Sequence, residues 1–157
     1  MLETPHILVG ATIAFFIPNP FVSLPLSLIS HFVLDLIPHW NPQIHTELSN
    51  NGKVSLQSKI ILGTDVILSL IIVFFVLYEV WPDVGHVITI FVACLLAIFP
   101  DLFQVPYYFF NKESAWTKII VDFQAKNQNH VSVTHGILAQ VLVSLTSLIL
   151  LLSNIFK

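Results

Sequence analysis

The chain has 157 residues, of which 55% are hydrophobic and only 10% are charged. Soluble domains carry about 25% charged residues, so this composition indicates a membrane protein rather than a soluble one. The formal net charge is −3 and arginine is absent, which excludes nucleic-acid binding through a basic groove.

Five apolar segments, named A to E here, follow one another along the chain. They cover residues 6–17, 21–37, 59–80, 86–103 and 131–155. Spanning a bilayer takes about 20 apolar residues, so C and E are long enough and D is nearly so. A and B are short and interrupted by Pro18, Pro20 and Pro25, so they form either a tilted hairpin or half-helices covered by the others. The prediction is an all-helical, polytopic membrane bundle, one domain over 1–157, with two long loops at 41–58 and 104–130.

The first polar signal is "TPHILVG", residues 4–10, at the start of segment A. Thr4 is predicted as the N-cap of a helix that begins near Pro5. His6 then lies in the first turn, where it is either a metal ligand or an interfacial histidine.

The second signal is "SHFVLDLIPHWN", residues 30–41, at the end of segment B. His31, Asp35 and His39 are each four residues apart, which places them on one helix face, although Pro38 loosens the last turn. Imidazole and carboxylate are ligands that zinc accepts, and a metal offsets the cost of a charge buried in hydrocarbon. The alternative is a helix-end ion pair between Asp35 and a protonated histidine.

Two further acids lie inside apolar segments, Asp65 near the start of C and Asp101 at the end of D. Intramembrane acids are functional candidates by default, so each is predicted as a metal ligand or as the general base. The alternatives are a helix-dipole partner for Asp65 and a turn-forming role for Asp101.

The third cluster is "QNHVSVTHG", residues 128–136, at the start of segment E. His130 and His135 are five residues apart, so on one ideal helix they do not share a face. They converge only if His130 precedes the helix, and Gly136 would allow a close approach of the backbone. The alternative is one loop histidine and one helix-terminal histidine without a common ligand.

Threading the segments up and down brings the scattered groups to one side of the membrane. That side holds the candidate metal ligands His6, His31, Asp35, His39, Asp65, Asp101, His130 and His135. Of the seven histidines only His86 falls on the other side, which favours one shared site. The same side carries Lys53, Lys59, Lys112, Lys118 and Lys126, so the positive-inside rule places it in the cytoplasm.

Several of these motifs resemble a known family. "TPHILVG", the Pro100-Asp101 pair and "HVSVTH" at 130–135 resemble motifs of the YdjM-like inner-membrane metal-dependent hydrolases. The last of them keeps the spacing of that family's His-Arg-Gly-x-Thr-His motif, with Val131 and Ser132 in place of Arg-Gly.

A second resemblance concerns residues 30–41 alone. This stretch is similar to the His-x3-Asp-x3-to-5-His helix of zinc-dependent phospholipase C and the related single-strand nucleases. That likeness implies a helical enzyme in which clustered zinc ions cleave phosphodiesters.

The expected function is metal-dependent hydrolysis at the cytoplasmic face of the inner membrane, with a phosphoester of a lipid or amphiphile as substrate. Two or more zinc ions are expected, other divalent metals being alternatives, and Asp101 or Asp65 would be the base. Rival functions are metal or proton transport through intramembrane His and Asp, and a structural membrane protein with a stabilising metal. The sequence carries no signal for an oligomeric state.

Overall fold

The computed structural model describes residues 1–110, 112, 114–127 and 131–155, and this part of the chain folds into helices without strands. The helices are α1 Glu3–Phe16, α2 Pro20–Asp35, α3 Ile44–Asn51, α4 Leu56–Val80, α5 Val84–Leu102, α6 Val105–Phe110, α7 Ala115–Asn127 and α8 Val133–Ile155. The predicted all-helical class is therefore confirmed.

Each of the five apolar segments is a helix, because A to E correspond to α1, α2, α4, α5 and α8. Three of them, α4, α5 and α8, are long and apolar enough to cross a membrane, whereas α1 and α2 are shorter. The two predicted loops are not irregular throughout, since 41–58 contains α3 and 104–130 contains α6 and α7.

Helix α1 lies at the centre of the bundle and packs against α2, α4, α5 and α8. Small residues permit this close packing: a Cβ added to Gly10 would lie 2.7 Å from the Ala97 Cβ of α5. On α2, Ser23 and Ser27 are fully buried, and the Ser27 hydroxyl donates to the Gly10 carbonyl at 3.5 Å. Small residues at helix interfaces are typical of packing in membranes, where apolar side chains gain little by leaving lipid.

The outward faces of the long helices are apolar. Large hydrophobic side chains with more than a third of their surface exposed run along α4, α5 and α8, and include Ile67, Ile71, Phe74, Phe91, Leu142 and Ile149. Contiguous exposed apolar surface of this kind marks contact with lipid or a partner rather than with water. The chain thus has the surface of a membrane-associated protein.

Two predicted helix boundaries were wrong. Helix α1 begins at Glu3, so Thr4 lies inside its first turn and is not the N-cap. Helix α2 ends at Asp35, so His39 lies in the following loop rather than on a continued helical face. The first error arose because the N–H groups at the start of α1 are bound by a side chain from another helix, Asp65 of α4. The second arose because Pro38 disfavours a helical conformation for Ile37 before it.

Candidate metal centre

Five of the predicted ligands meet at the start of α1. His6 comes from α1, His31 and Asp35 from α2, His39 from the loop after α2, and Asp101 from the end of α5. His6, His31 and His39 are fully buried, and their rings lie among apolar helices. The up-and-down threading of the segments therefore placed these five residues correctly.

Asp35 is the centre of this cluster. Its Oδ1 lies 3.4 Å from His6 Nε2 and 3.9 Å from His39 Nε2. Its Oδ2 lies 3.5 Å from His31 Nε2, and His31 Nε2 is also 3.8 Å from Asp101 Oδ1. Oδ1 of Asp35 thus faces the rings of His6 and His39, and Oδ2 faces the ring of His31.

Backbone carbonyls fix the orientation of two of the imidazoles. His31 Nδ1 lies 2.8 Å from the Ala97 carbonyl, and His39 Nδ1 lies 2.8 Å from the Ile37 carbonyl. Because a carbonyl can only accept, both Nδ1 atoms must carry the proton, which leaves the Nε2 lone pairs directed at the carboxylates in the neutral rings. Metal-binding histidines are usually held in this way by a hydrogen bond to the other ring nitrogen.

His6 differs from the other two imidazoles. Its ring stacks on that of His31 with centroids 4.3 Å apart. Neither ring nitrogen makes a hydrogen bond within the described part of the chain, although both are buried. Buried polar atoms without partners are uncommon and costly, so this ring requires a role other than packing.

Two glutamines, which sequence reasoning missed, hold Asp101. Gln104 Nε2 and Gln124 Nε2 each donate to Asp101 Oδ1 at 3.2 Å, and Gln104 Nε2 also donates to Gln124 Oε1. Gln124 Nε2 lies 2.8 Å from His31 Nε2 as well, where a metal would compete with it for the same lone pair. Neutral amides carry no charge pattern, so no sequence signal marked them.

Two groups from the beginning of the chain complete the cluster and were also missed. The Met1 amino nitrogen donates to Asp35 Oδ1, so a positive group lies beside this carboxylate. Glu3 Oε2 is buried and makes no hydrogen bond within the described residues. The spacing of three between Glu3 and His6, which places both on one face of α1, was the available signal.

Asp65 lies at the same end of α1, but it binds the first residues of that helix and not the cluster around Asp35. Its Oδ2 accepts from the backbone N–H groups of Glu3 at 2.6 Å and Thr4 at 3.3 Å. Its Oδ1 accepts from the Thr4 hydroxyl at 2.6 Å. Asp65 therefore satisfies amide groups that α1 leaves free, and its charge complements the helix dipole of α1 rather than that of its own helix α4.

The two histidines of residues 128–136 are not both placed. His130 lies outside the described residues. His135 is exposed in the first turn of α8, where its Nδ1 lies 2.8 Å from the Ser132 hydroxyl. The described contacts do not bring His135 to Asp35, and its role as a ligand stays a prediction.

Helix α8 and the residue Val131 before it nevertheless support the cluster by packing and hydrogen bonding against the His39–Trp40 backbone. A Cβ on Gly136 would lie 2.2 Å from the Trp40 backbone nitrogen and 2.7 Å from the His39 carbonyl carbon. Val131 N–H donates to the His39 carbonyl at 3.2 Å, and Gln140 Nε2 donates to the Trp40 carbonyl at 2.6 Å. The close approach expected at Gly136 is confirmed, and it fixes the loop that carries His39.

A cleft of about 640 Å³ adjoins the cluster. Met1, Glu3, Asp101 and Gln124 line its polar end, and its other walls come from α3, α4, α5 and α6. Most of these wall residues are apolar, including Leu62, Val66, Leu70, Ile98, Val105 and Phe109. Tyr108 also lines the cleft, and burial raises the pKa of its hydroxyl well above the usual value, so it stays a neutral donor.

The donor set and its spacing fit a divalent metal. The ligand atoms of His6, His31 and Asp101 all lie within 4.8 Å of one another. The separations of 3.4 to 3.9 Å around Asp35 are too long for good hydrogen bonds. They approach the separation of about 3.3 Å between two ligands of one tetrahedral zinc ion whose bonds are about 2.0 to 2.1 Å long.

Comparisons of the chain with protein-family models, with curated proteins and with solved structures give no match.

Proposed function

We propose that this protein is a membrane-embedded, metal-dependent hydrolase that cleaves a phosphoester of a lipid or amphiphile. The observation that carries the proposal is the buried cluster around Asp35, in which His31 and His39 direct their Nε2 lone pairs at a carboxylate. The stacked His6 and the nearby Asp101 add two more donors. Histidine with carboxylate is a donor set of catalytic zinc sites.

The two oxygens of Asp35 support a centre for two ions. Oδ1 faces His6 and His39, whereas Oδ2 faces His31, which is next to Asp101. Asp35 would then bridge two half-sites, as carboxylates do in paired-metal enzymes where the ions are about 3.5 to 4 Å apart. Zinc is the proposed metal, and other divalent ions are alternatives.

The chemistry divides between the metal and the side chains. Bound zinc would supply Lewis-acid polarisation of the phosphoryl group and a water of lowered pKa. The chain has no arginine, so bound metal ions and Lys59, which lines the cleft, would balance the charge of the phosphate. Asp101 reaches both the cleft and His31, so among the two predicted acids it is the better placed to accept a proton, and Gln104 and Gln124 fix its orientation.

The surroundings of the cluster favour hydrolysis over transport. Beyond the site, an apolar cluster that includes Leu8, Ala11, Ala14, Ile90, Ala93 and Cys94 fills much of the described interior. The buried polar side chains there, such as Ser23, Ser27 and Thr89, are uncharged, and among the described residues Asp65 is the only buried acid or histidine outside the cluster. A transporter needs ionisable groups along a path to the second face. A purely structural metal would have a closed coordination sphere, whereas Asp101 and Glu3 open onto the cleft.

The resemblance to YdjM-like inner-membrane hydrolases and to the zinc-dependent phospholipase C helix supports the same proposal. His31 and Asp35 take the places that the phospholipase-like motif gives to its first two ligands. We assign the protein on this basis to the inner membrane, embedded in the bilayer by α4, α5 and α8 with α1 and α2 between them.

The experiment is metal analysis combined with an activity assay. Protein purified in detergent without added metal is expected to contain two zinc equivalents and to hydrolyse a chromogenic phosphodiester. Asp35→Asn, which keeps the shape of the side chain, should abolish both, whereas His86→Asn at the other end of the bundle should leave both unchanged. If wild type and Asp35→Asn release equal product, or if neither exceeds the blank, the proposal is wrong.

The proposed orientation has its own test. Cysteine labelling in a Cys94→Ser background compares Ser55→Cys, in the lysine-bearing loop, with Pro82→Cys at the opposite end of α4. An impermeant thiol reagent added to intact cells should label only the second position if the site faces the cytoplasm. Labelling of Ser55→Cys from outside would show that the proposed orientation is wrong and that the site faces away from the cytoplasm.

A further inference from the structure

The cleft beside the metal centre has the form of a site for an amphiphile. Its polar end is lined by Asp101, Glu3 and Gln124, all of which belong to the cluster around Asp35 or adjoin it. Its volume of about 640 Å³ is within the range of about 300 to 1,000 Å³ that is usual for ligand pockets. The polar end is continuous with an apolar wall, so one molecule with a charged head and an apolar chain would contact both.

The apolar wall follows one face of α4. Leu62, Val66 and Leu70 succeed one another at intervals of four residues, and all three line the cleft. The adjoining row of the same helix carries Asp65, Ser69 and Val73, which are buried toward the bundle, and Ser69 also lines the cleft. Val105 and Phe109 of α6 also line the cleft.

Gly63 interrupts the apolar wall. It lines the cleft, and a Cβ built on it would meet no atom within 4 Å. The other glycine next to the centre, Gly136, is required by a close backbone contact, but no such contact explains Gly63. A glycine inside a helix lowers helix stability by about 1 kcal/mol relative to alanine, and here it leaves space open beside the cleft.

We propose that this cleft binds a single saturated or isoprenoid chain of the substrate, and that Gly63 determines how long a chain it accepts. The proposal rests on the proposed function, because the head group is placed at the Asp35 cluster. The charged end of the ligand lies toward Asp101, and the chain runs between α4 and α6. A larger side chain at position 63 would shorten the cleft without contact with other protein atoms.

Capture of photoactivatable alkylphosphonates tests this directly. Butyl- and tetradecylphosphonate with a terminal diazirine are irradiated with metal-loaded protein in nanodiscs, and adducts are mapped by mass spectrometry. Tetradecylphosphonate should label residues of α4 and α6 that line the cleft. Gly63→Leu should reduce this labelling about tenfold, the effect of a lost methylene contact or a steric block, and leave butylphosphonate capture unchanged.

The matched control is Thr64→Leu, which adds bulk at the neighbouring position that does not line the cleft. It should leave capture of both probes unchanged. Equal labelling of Gly63→Leu and wild type, spread over the lipid-facing side of α4, would show that bilayer lipid merely fills the cleft and would overturn the inference.

The binding readout keeps the two proposals distinguishable, since a phosphonate has no ester bond to cleave. If capture depends on Gly63 but no phosphoester is hydrolysed, the chain-binding site stands and the hydrolase proposal fails. If esters are hydrolysed at equal rates whatever their chain length, in wild type and in Gly63→Leu, the hydrolase stands and the chain-binding site fails.

Discussion

A histidine lies at each end of α1, His6 within the helix and His86 beside it on α5, but the two side chains are used differently. At the end beginning with Glu3, His6 is fully buried beside Asp35, and neither ring nitrogen has a hydrogen bond within the described residues. At the other end, His86 Nε2 lies 3.1 Å from the Ala14 carbonyl, and its ring packs beside Phe15. The Ala14 carbonyl accepts a hydrogen bond from His86, whereas neither ring nitrogen of His6 has such a partner among the described residues. Burial of a histidine is therefore uninformative until its ring nitrogens are accounted for.

The largest expected effect follows from replacing the histidine at each end. His6→Asn should lower metal affinity by at least about 100-fold, because changes outside the ligand shell alone cost about 10- to 100-fold. His86→Asn should leave metal affinity unchanged. Zinc titration against a chromophoric chelator measures the affinity of both variants. An equal loss of zinc affinity in the two variants would show that His6 and His86 do not differ in their role.

Close packing beneath the site gives the next largest effect. Gly136→Ala must displace the His39–Trp40 backbone, since the added Cβ would lie 2.2 Å from the Trp40 nitrogen. We expect a loss of about 2 to 3 kcal/mol in the free energy of unfolding together with weakened metal binding. Gly63→Ala is the control, and it should be neutral or stabilising because nothing lies near its Cβ. A thermal unfolding curve for Gly136→Ala that overlies that of wild type would contradict the described contact.

A comparison of Asp65 with Asp101 separates a structural role from a catalytic role at the end of the bundle that holds the cluster. Asp65→Asn removes the charge that faces the first N–H groups of α1, so it should cost about 1 kcal/mol of stability. Metal content should stay at the wild-type level, and hydrolysis should fall only several-fold. Asp101→Asn provides the contrast, with lost activity at nearly normal stability. If Asp65→Asn abolished activity at normal stability and Asp101→Asn mainly lowered stability, Asp65 would be the base and Asp101 the structural acid.

The smallest effect concerns α3, which forms one rim of the cleft. Glu47 accepts from the Ser55 N–H at 2.8 Å and from the Ser58 hydroxyl at 2.7 Å, and these bonds lower the pKa of its carboxyl below the ordinary value of 4.5. The stabilisation is complete above that value and is lost as the pH falls through the folded-state pKa. Glu47→Gln should remove this pH dependence and lower Tm slightly at neutral pH. Melting curves at pH values on both sides of the transition check this, and an unchanged acid dependence would assign it to another group.

The sequence was sufficient to predict the five apolar helices and the meeting of His6, His31, Asp35, His39 and Asp101. Hydrophobic runs identify helices, and alternation of their direction then decides which ends are neighbours. It could not predict α3, α6 and α7, because these helices are too short or too mixed in polarity to show a long apolar pattern. Nor could it predict Gln104 and Gln124, since a neutral amide becomes recognisable only when its partner is known.

Asp65 shows a different limit of sequence reasoning. Because segment C is predicted to begin at residue 59, Asp65 looks like a partner for the dipole of its own helix, whereas in the structure it is the tenth residue of α4. In the structure it binds the amide groups of α1, whose first turn lies more than fifty positions earlier in the chain. The local sequence pattern indicates that Asp65 binds the N-terminus of a helix, but it does not indicate which helix.

The contacts of Gly136 and Gln140 also bear on the order in which the protein assembles in the membrane. Helix α8 is made after the three helices and the one loop that provide the described donors, and yet it fixes the His39–Trp40 loop. A nascent chain that has inserted only α1, α2, α4 and α5 would carry these donors but lack that support. Non-local contacts of this kind form late in folding. The metal-binding geometry should therefore be complete only after α8 has packed against the His39–Trp40 loop, and chains that lack α8 should bind metal weakly.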